Sequence, residues 1–264
     1  MPPHDCRHNA PFRLLILGGT AGARQLADRL QPLEHIDVML SLAGRTQAPA
    51  LQPVPVRTGG FGGSHGLEGY LRNNQINALI VATHPFAARM AEHAALAAQA
   101  SQTPLIRLLA PAWQPHADDH WQSAPSMEKV PELLGASPQR VLLTIGRQQL
   151  APFERAPQHH YVIRSVEELP TSLSLPDVHH IKARGPFSLI SERLLMQQEG
   201  IDVVVTKNSG SQEVAAKLTA ARHLGIRVIM VERPATPAMR EVSSPEAVID
   251  WVNEHVNFHQ WRGE

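Results

Sequence analysis

The chain has 264 residues, and its 24 Lys and Arg balance its 24 Asp and Glu, so the formal charge is zero at neutral pH. That balance excludes the cationic field of a non-specific nucleic-acid binder and the acidic excess of a solvating chain. The lone Cys6 excludes an internal disulfide framework or a cysteine metal site, and the apolar runs are strand-sized, too short for a membrane span.

Residues 1–11 read as a loose polar arm rather than a signal peptide, and the chain is expected to be cytoplasmic. Arg13–Leu17 is a continuous apolar run, the pattern of a strand buried on both faces. Gly18-Gly19-Thr20-Ala21-Gly22 follows at once, then Ala23, Leu26, Ala27 and Leu30 at helical spacing. Strand, glycine loop and helix open a doubly wound sheet. Strands are expected at 37–42, 78–82 and 105–108, a short helix at 67–73 and an Ala-rich helix at 86–100, with Pro85 opening it. Residues 109–123 show no period and read as a crossing segment. A second series then runs: helix 127–135, strands 140–145, 161–165 and 179–182, helix 188–199, strand 202–206, helix 211–224 with Gly225 after it, strand 227–231 and helix 244–256. The fold class is α/β, with two Rossmann-like doubly wound parallel-sheet domains, residues 1–122 and 123–264, and a cleft between them.

Candidate site residues cluster where strands meet helices. The loop at Gly18, Gly19, Thr20 and Gly22 can present backbone N–H groups and a helix amino end to a phosphate, although its spacing suits a plain βα turn equally well. The second strand leads through Ser41 to Arg45, with no acid nearby for a ribose hydroxyl. Arg45 therefore suits a 2′-phosphate, and NADP over NAD, unless it is an ordinary surface Arg. Arg57-Thr-Gly59-Gly60-Phe61-Gly62-Gly63 suits close backbone approach to a flat ligand, with Phe61 free to cover it. Thr83-His84-Pro85 falls at the ligand edge of the sheet, where His84 can serve as acid, base or donor. Thr206-Lys207-Asn208-Ser209-Gly210 has the form of an anion cradle. Thr144, Gly146 and Arg147, and Arg184–Phe187, sit at comparable corners. The histidines form no metal-binding spacing, so no metal is expected.

Taken in order, Gly18-Gly-Thr20…Arg24, Arg57-x-Gly-Gly-Phe-Gly-Gly63, Ala82-Thr-His-Pro-Phe-Ala87, Thr144-x-Gly-Arg147, Arg184-Gly-Pro-Phe187, Thr206-Lys-Asn-Ser-Gly210 and Arg233-Pro234 resemble the precorrin-6A reductase family of cobalamin biosynthesis, over about residues 13–234. The resemblance implies an NADPH-dependent oxidoreductase acting on a CH–CH group, which delivers hydride to a ring double bond of precorrin-6A and gives precorrin-6B. A related branch acts on the cobalt-bearing ring. The implied partner is a tetrapyrrole, with neither nucleic acid nor membrane, and a monomer is expected.

On that basis Gly18, Gly19, Thr20, Gly22, Ala23, Ser41, Arg45 and Gly59–Gly63 would hold NADPH, with Thr83 and Pro85 lining the meeting point. Arg147, Arg184, Lys207, Asn208, Ser209, Gly210 and Lys217 would hold the substrate carboxylates, which are anionic near neutral pH. His84 and Lys207 are the candidate catalytic proton donors, with water as the alternative source of the proton. The chain departs from the family pattern at Gly22, Val81, Leu109, Ala110 and Ser211. The competing reading is a non-catalytic nucleotide-binding module built from the same loops.

Overall fold

A computed structural model describes residues 11–44 and 51–261. The chain forms two compact units, one built from its start to Ala110 together with Ala235 onward, the other from Pro111–Pro234.

The first unit holds a six-stranded sheet. In chain order its elements are β1 (Phe12–Leu17), α1 (Ala21–Leu30), β2 (Ile36–Leu42), β3 (Val56–Thr58), α2 (Ser64–Asn73), β4 (Ala78–Val81), α3 (Ala88–Ser101) and β5 (Leu105–Leu108). The sheet order is β12-β5-β4-β1-β2-β3, where β12 is Glu241–Val242, and every pairing is parallel. The apolar run of β1 explains itself here. Leu14 and Ile16 join a core under α1, while Leu15 and Leu17 join a second core under α2 and α3. A strand covered on both faces has no need of polar alternation.

The second unit repeats the plan with β6 (Trp121–Ala124), α4 (Val130–Leu134), β7 (Arg140–Leu143), β8 (His160–Ser165), β9 (Val178–Lys182), α5 (Leu189–Gln198), β10 (Val203–Lys207), α6 (Ala216–Leu224) and β11 (Arg227–Val231). Its sheet order is β6-β11-β10-β7-β8-β9, again all parallel. Leu142, Val162, Val204 and Val228 pack beneath Met196 of α5 and Leu218 and Ala221 of α6.

The structure corrects several boundaries. The expected domain limit at 122/123 falls at Ala110/Pro111. The last helix, α7 (Pro245–Trp261), was expected in the second domain, but its Val248, Trp251, Val252 and Val256 bury themselves in the first-unit core beside α1. The returning chain is tied there by β12 on β5 and by buried Arg107, which donates to Thr236 Oγ1 at 2.7 Å and Glu241 Oε1 at 3.0 Å. The segment 109–123 was expected to be irregular, yet its end forms the edge strand β6. Pro85 does not open a helix. It sits second in a turn closed by the Ala87 N–H to the His84 carbonyl at 2.8 Å, a position that its fixed φ suits, and α3 starts at Ala88. The helix expected from 211 begins with a 3₁₀ turn at Gln212–Val214.

No helix among the described residues is long and apolar enough to cross a membrane, and no group of three or more His, Cys, Asp or Glu among them could hold a metal.

Candidate functional site

In the first sheet β1 and β4 are neighbours, while β2 and β5 lie to opposite sides. The chain therefore winds away in both directions from the β1/β4 junction, and a crevice opens at the carboxyl ends of these two strands. Gly18, Gly19 and Thr20 follow β1, and Thr83, His84 and Pro85 follow β4. Thr20 ties the two ends together: its hydroxyl donates to the Ala82 carbonyl at 2.8 Å and accepts from the Ala23 N–H at 3.1 Å as the N-cap of α1. The Thr20 side chain thus shapes the crevice, and Gly22 and buried Ala23 belong to the first turn of α1. Thr83 Oγ1, just beyond the carboxyl end of β4, is buried without a hydrogen-bond partner among the described residues. His84 accepts the Phe86 N–H at its Nδ1, 3.2 Å away, which leaves Nε2 as the ring nitrogen carrying the proton when the imidazole is neutral.

The Gly59–Gly63 loop joins β3 to α2 on the same strand edge. Arg57 organises it. Its guanidinium donates to the Gly59 carbonyl at 2.7 Å, the Gly60 carbonyl at 2.6 Å and Ser41 Oγ at 3.2 Å, and it stacks 3.7 Å over the Phe61 ring. Phe61 in turn meets Tyr70 edge-on at 5.2 Å and packs against the second apolar core. Phe61 is therefore an anchor beneath the loop, not the mobile cover expected from the sequence. Gly66 allows this approach, because a Cβ there would lie 1.6 Å from the Phe61 carbonyl oxygen. The outer face is bare by contrast: a Cβ at Gly19, Gly59, Gly60, Gly62 or Gly63 would meet nothing within 4 Å. A smooth backbone surface of this kind fits a flat, phosphate-bearing ligand. Arg45 lies outside the described residues.

The second sheet has its own winding point between β7 and β10. Thr144, Gly146 and Arg147 follow β7, Arg184–Phe187 follow β9, and Asn208–Gly210 follow Lys207, the last residue of β10. Lys207 Nζ donates to Gln149 Oε1 at 2.9 Å, and Arg147 reaches the Glu168 carbonyl at 3.3 Å. Asn208 differs from its expected role. Its Oδ1 accepts the Trp113 N–H at 2.7 Å and its Nδ2 donates to the Trp113 carbonyl at 3.0 Å, so the amide clamps one strand of backbone. Arg233 braces the same loop through the Asn208 and Ser209 carbonyls, at 2.9 and 3.1 Å. Gly210 has φ of 72°, and a Cβ there would lie 2.0 Å from the Pro111 carbonyl oxygen. Lys217 is 3% exposed and lies behind this surface, while Arg184 is exposed. Trp113 and Arg57 were not singled out as supports from the sequence, and Arg164 and Glu192, buried behind the second site, carried no motif at all.

Two parallel sheets, each with its glycine- and cation-bearing loops at the strand carboxyl ends, define a double Rossmann-like α/β protein. Residues 13–253 match the family model described as precorrin-6x reductase CbiJ/CobK, and the chain belongs to that family of reductases. A precorrin-6A reductase of Sinorhizobium sp is 49% identical over 221 residues, 84% of this chain and 85% of the relative. The solved structure of CobK precorrin-6A reductase superposes with a TM-score of 0.89 at 42% identity, over 92% of this chain and 96% of that one. A cobalt-precorrin-6A reductase of Priestia megaterium is 29% identical over 84% of this chain and 90% of its own length.

Proposed function

We propose that this chain reduces precorrin-6A to precorrin-6B with NADPH. The observation that carries this reading is the 49% identity to a precorrin-6A reductase, joined to the loops that line both strand edges. The higher identity to the precorrin-6A reductase (49%) than to the cobalt-precorrin-6A reductase (29%) favours the cobalt-free substrate. The reaction adds one hydride and one proton across a ring double bond, converting NADPH and H⁺ to NADP⁺.

The first unit is assigned to NADPH, which when bound supplies the hydride. The bare backbone of Gly19, Gly59, Gly60, Gly62 and Gly63 would hold its phosphates and rings, with Gly18 packed against Leu40 beneath them and the amino end of α1 favouring negative charge. Thr83 Oγ1 offers an unused hydrogen-bonding atom beside them. Arg45 pairs with the 2′-phosphate. The second unit is assigned to the tetrapyrrole: Arg147, Arg184 and Lys207 meet its carboxylates, with the Ser209–Gly210 turn shaping the loop that carries Lys207. Lys207 or His84 holds the proton that completes the reduction. Much of the rate then comes from orientation of two large ligands and exclusion of water.

The test is steady-state oxidation of NADPH or NADH with precorrin-6A. Wild-type protein is expected to prefer NADPH. Arg45→Ala is expected to raise the KM for NADPH by about tenfold or more, the loss of one charge-assisted contact, and to leave NADH almost unaffected. Equal losses for both cofactors would remove Arg45 from the 2′-phosphate site.

A further inference from the structure

The second unit buries a group of charges behind its strand edge. Lys217 of α6 is 3% exposed, its ammonium donates to the Val214 carbonyl at 3.0 Å, and it lies 5.3 Å from the Trp113 ring centre. Arg164 of β8 and Glu192 of α5 are buried with it. Arg164 Nη2 approaches Glu192 Oε1 at 2.9 Å, yet neither carboxylate oxygen accepts a well-directed hydrogen bond from any described residue. The Arg164 guanidinium also stacks 3.8 Å over Phe187, which ends the loop bearing Arg184.

A buried ammonium with so little solvation is only marginally held in its charged form. Burial is the largest influence and disfavours the charge, Arg164 and Lys207 oppose it by repulsion, and Glu192 favours it. Together these bring the Lys217 pKa down to about 7. The position of Lys217 gives it leverage. Its ammonium faces the Trp113 ring, the Trp113 backbone is clamped by Asn208, and Asn208 adjoins Lys207.

We propose that Lys217 is a protonation-linked positioning residue for the anionic substrate. A polycarboxylate held at Lys207 and Arg184 offsets the repulsion within the cluster and draws a proton from solvent onto Lys217. The charged ammonium then fixes Trp113 and, through Asn208, the loop that carries Lys207. This inference rests on the assignment of the second unit to the tetrapyrrole.

Its sign follows from linkage. The bound state holds the proton more tightly than the free state, so affinity falls as pH rises above the free-state value of about 7, by at most about tenfold per pH unit for one linked proton. The KM for precorrin-6A should rise in this way in wild-type protein. In Lys217→Arg the charge is permanent, and the rise should vanish. In Glu192→Gln the group that favours the ammonium is lost, and the rise should begin at lower pH. A wild-type profile that is flat over about pH 6 to 9, or a Lys217→Arg profile that keeps the wild-type rise, overturns the inference.

A second readout does not depend on turnover. Uroporphyrin, a stable polycarboxylate tetrapyrrole, should cause proton uptake when mixed with ligand-free wild-type protein in weak buffer, and none with Lys217→Arg. Binding without uptake, or no binding, overturns the inference. Uptake with uroporphyrin, alongside a failure to oxidise NADPH when precorrin-6A is supplied, would instead overturn the reductase reading and leave the role of Lys217 standing.

Discussion

Arg57→Met raises the KM for NADPH and for NADH alike, by about ten- to a hundredfold, and leaves the KM for precorrin-6A nearly unchanged. Arg57 holds the glycine loop by three hydrogen bonds and one ring stack. Hydrogen bonds from a charged donor contribute about 1.5–3 kcal/mol each, and they do not add in full. Without them the Gly59 and Gly60 carbonyls lose their partners, and the loop must be ordered again each time a cofactor binds. About 1.4 kcal/mol of such ordering is a tenfold loss of affinity. The equality between the two cofactors is the informative part. An Arg that touched the 2′-phosphate would discriminate between them, as Arg45 is proposed to do, whereas an Arg that shapes the loop cannot. Arg57→Lys should recover only part of the loss, since one ammonium cannot reproduce the fork and the stack. Steady-state kinetics with both cofactors check this, and a change within about twofold would show that the loop is ordered by other means.

Gly210→Ala should lower kcat/KM for precorrin-6A by at least about tenfold and spare the KM for NADPH. An added methyl at φ of 72° is strained in itself, at about 1–2 kcal/mol. It would also press on the Pro111 carbonyl at 2.0 Å and on Arg233 Nη2 at 2.8 Å. Arg233 is the brace of the Asn208 and Ser209 carbonyls, so relief of the clash moves the loop that carries Lys207. Some global destabilisation accompanies this, and urea unfolding measures it separately. An unchanged kcat/KM would place the substrate away from this loop.

The sheets were legible in the sequence because each central strand is covered on both faces and so reads as an unbroken apolar run. Arg13–Leu17, Ala78–Ala82 and Asp202–Thr206 all announced themselves in that way. The short edge strands β3, β6 and β12 did not. Val56–Thr58 and Trp121–Ala124 are half polar, and Glu241–Val242 is two residues long; their pairing is decided by neighbours remote in sequence. The last helix showed where it would form but not which sheet would receive it, since its apolar face suits either. For the site, glycine loops at strand ends were visible because their composition is unsuited to helix or strand interiors. What remained hidden was which side chains bind their own protein. Thr20 and Asn208 look like ligand contacts, yet their polar atoms are engaged across the fold. Lys217 offered one signal: it shares the helical stripe of Val214, Leu218 and Ala221, which marks a buried position.

The proposed hydride transfer from NADPH to precorrin-6A can be followed by isotopic label. NADPH bearing deuterium at the reactive ring carbon, incubated with protein and precorrin-6A, should yield precorrin-6B with one deuterium on a reduced ring carbon, and oxidised cofactor in equal amount. One of the two cofactor faces should donate and the other should not. Product without deuterium from either face, or cofactor that stays reduced while protein and precorrin-6A are both present, would contradict the account.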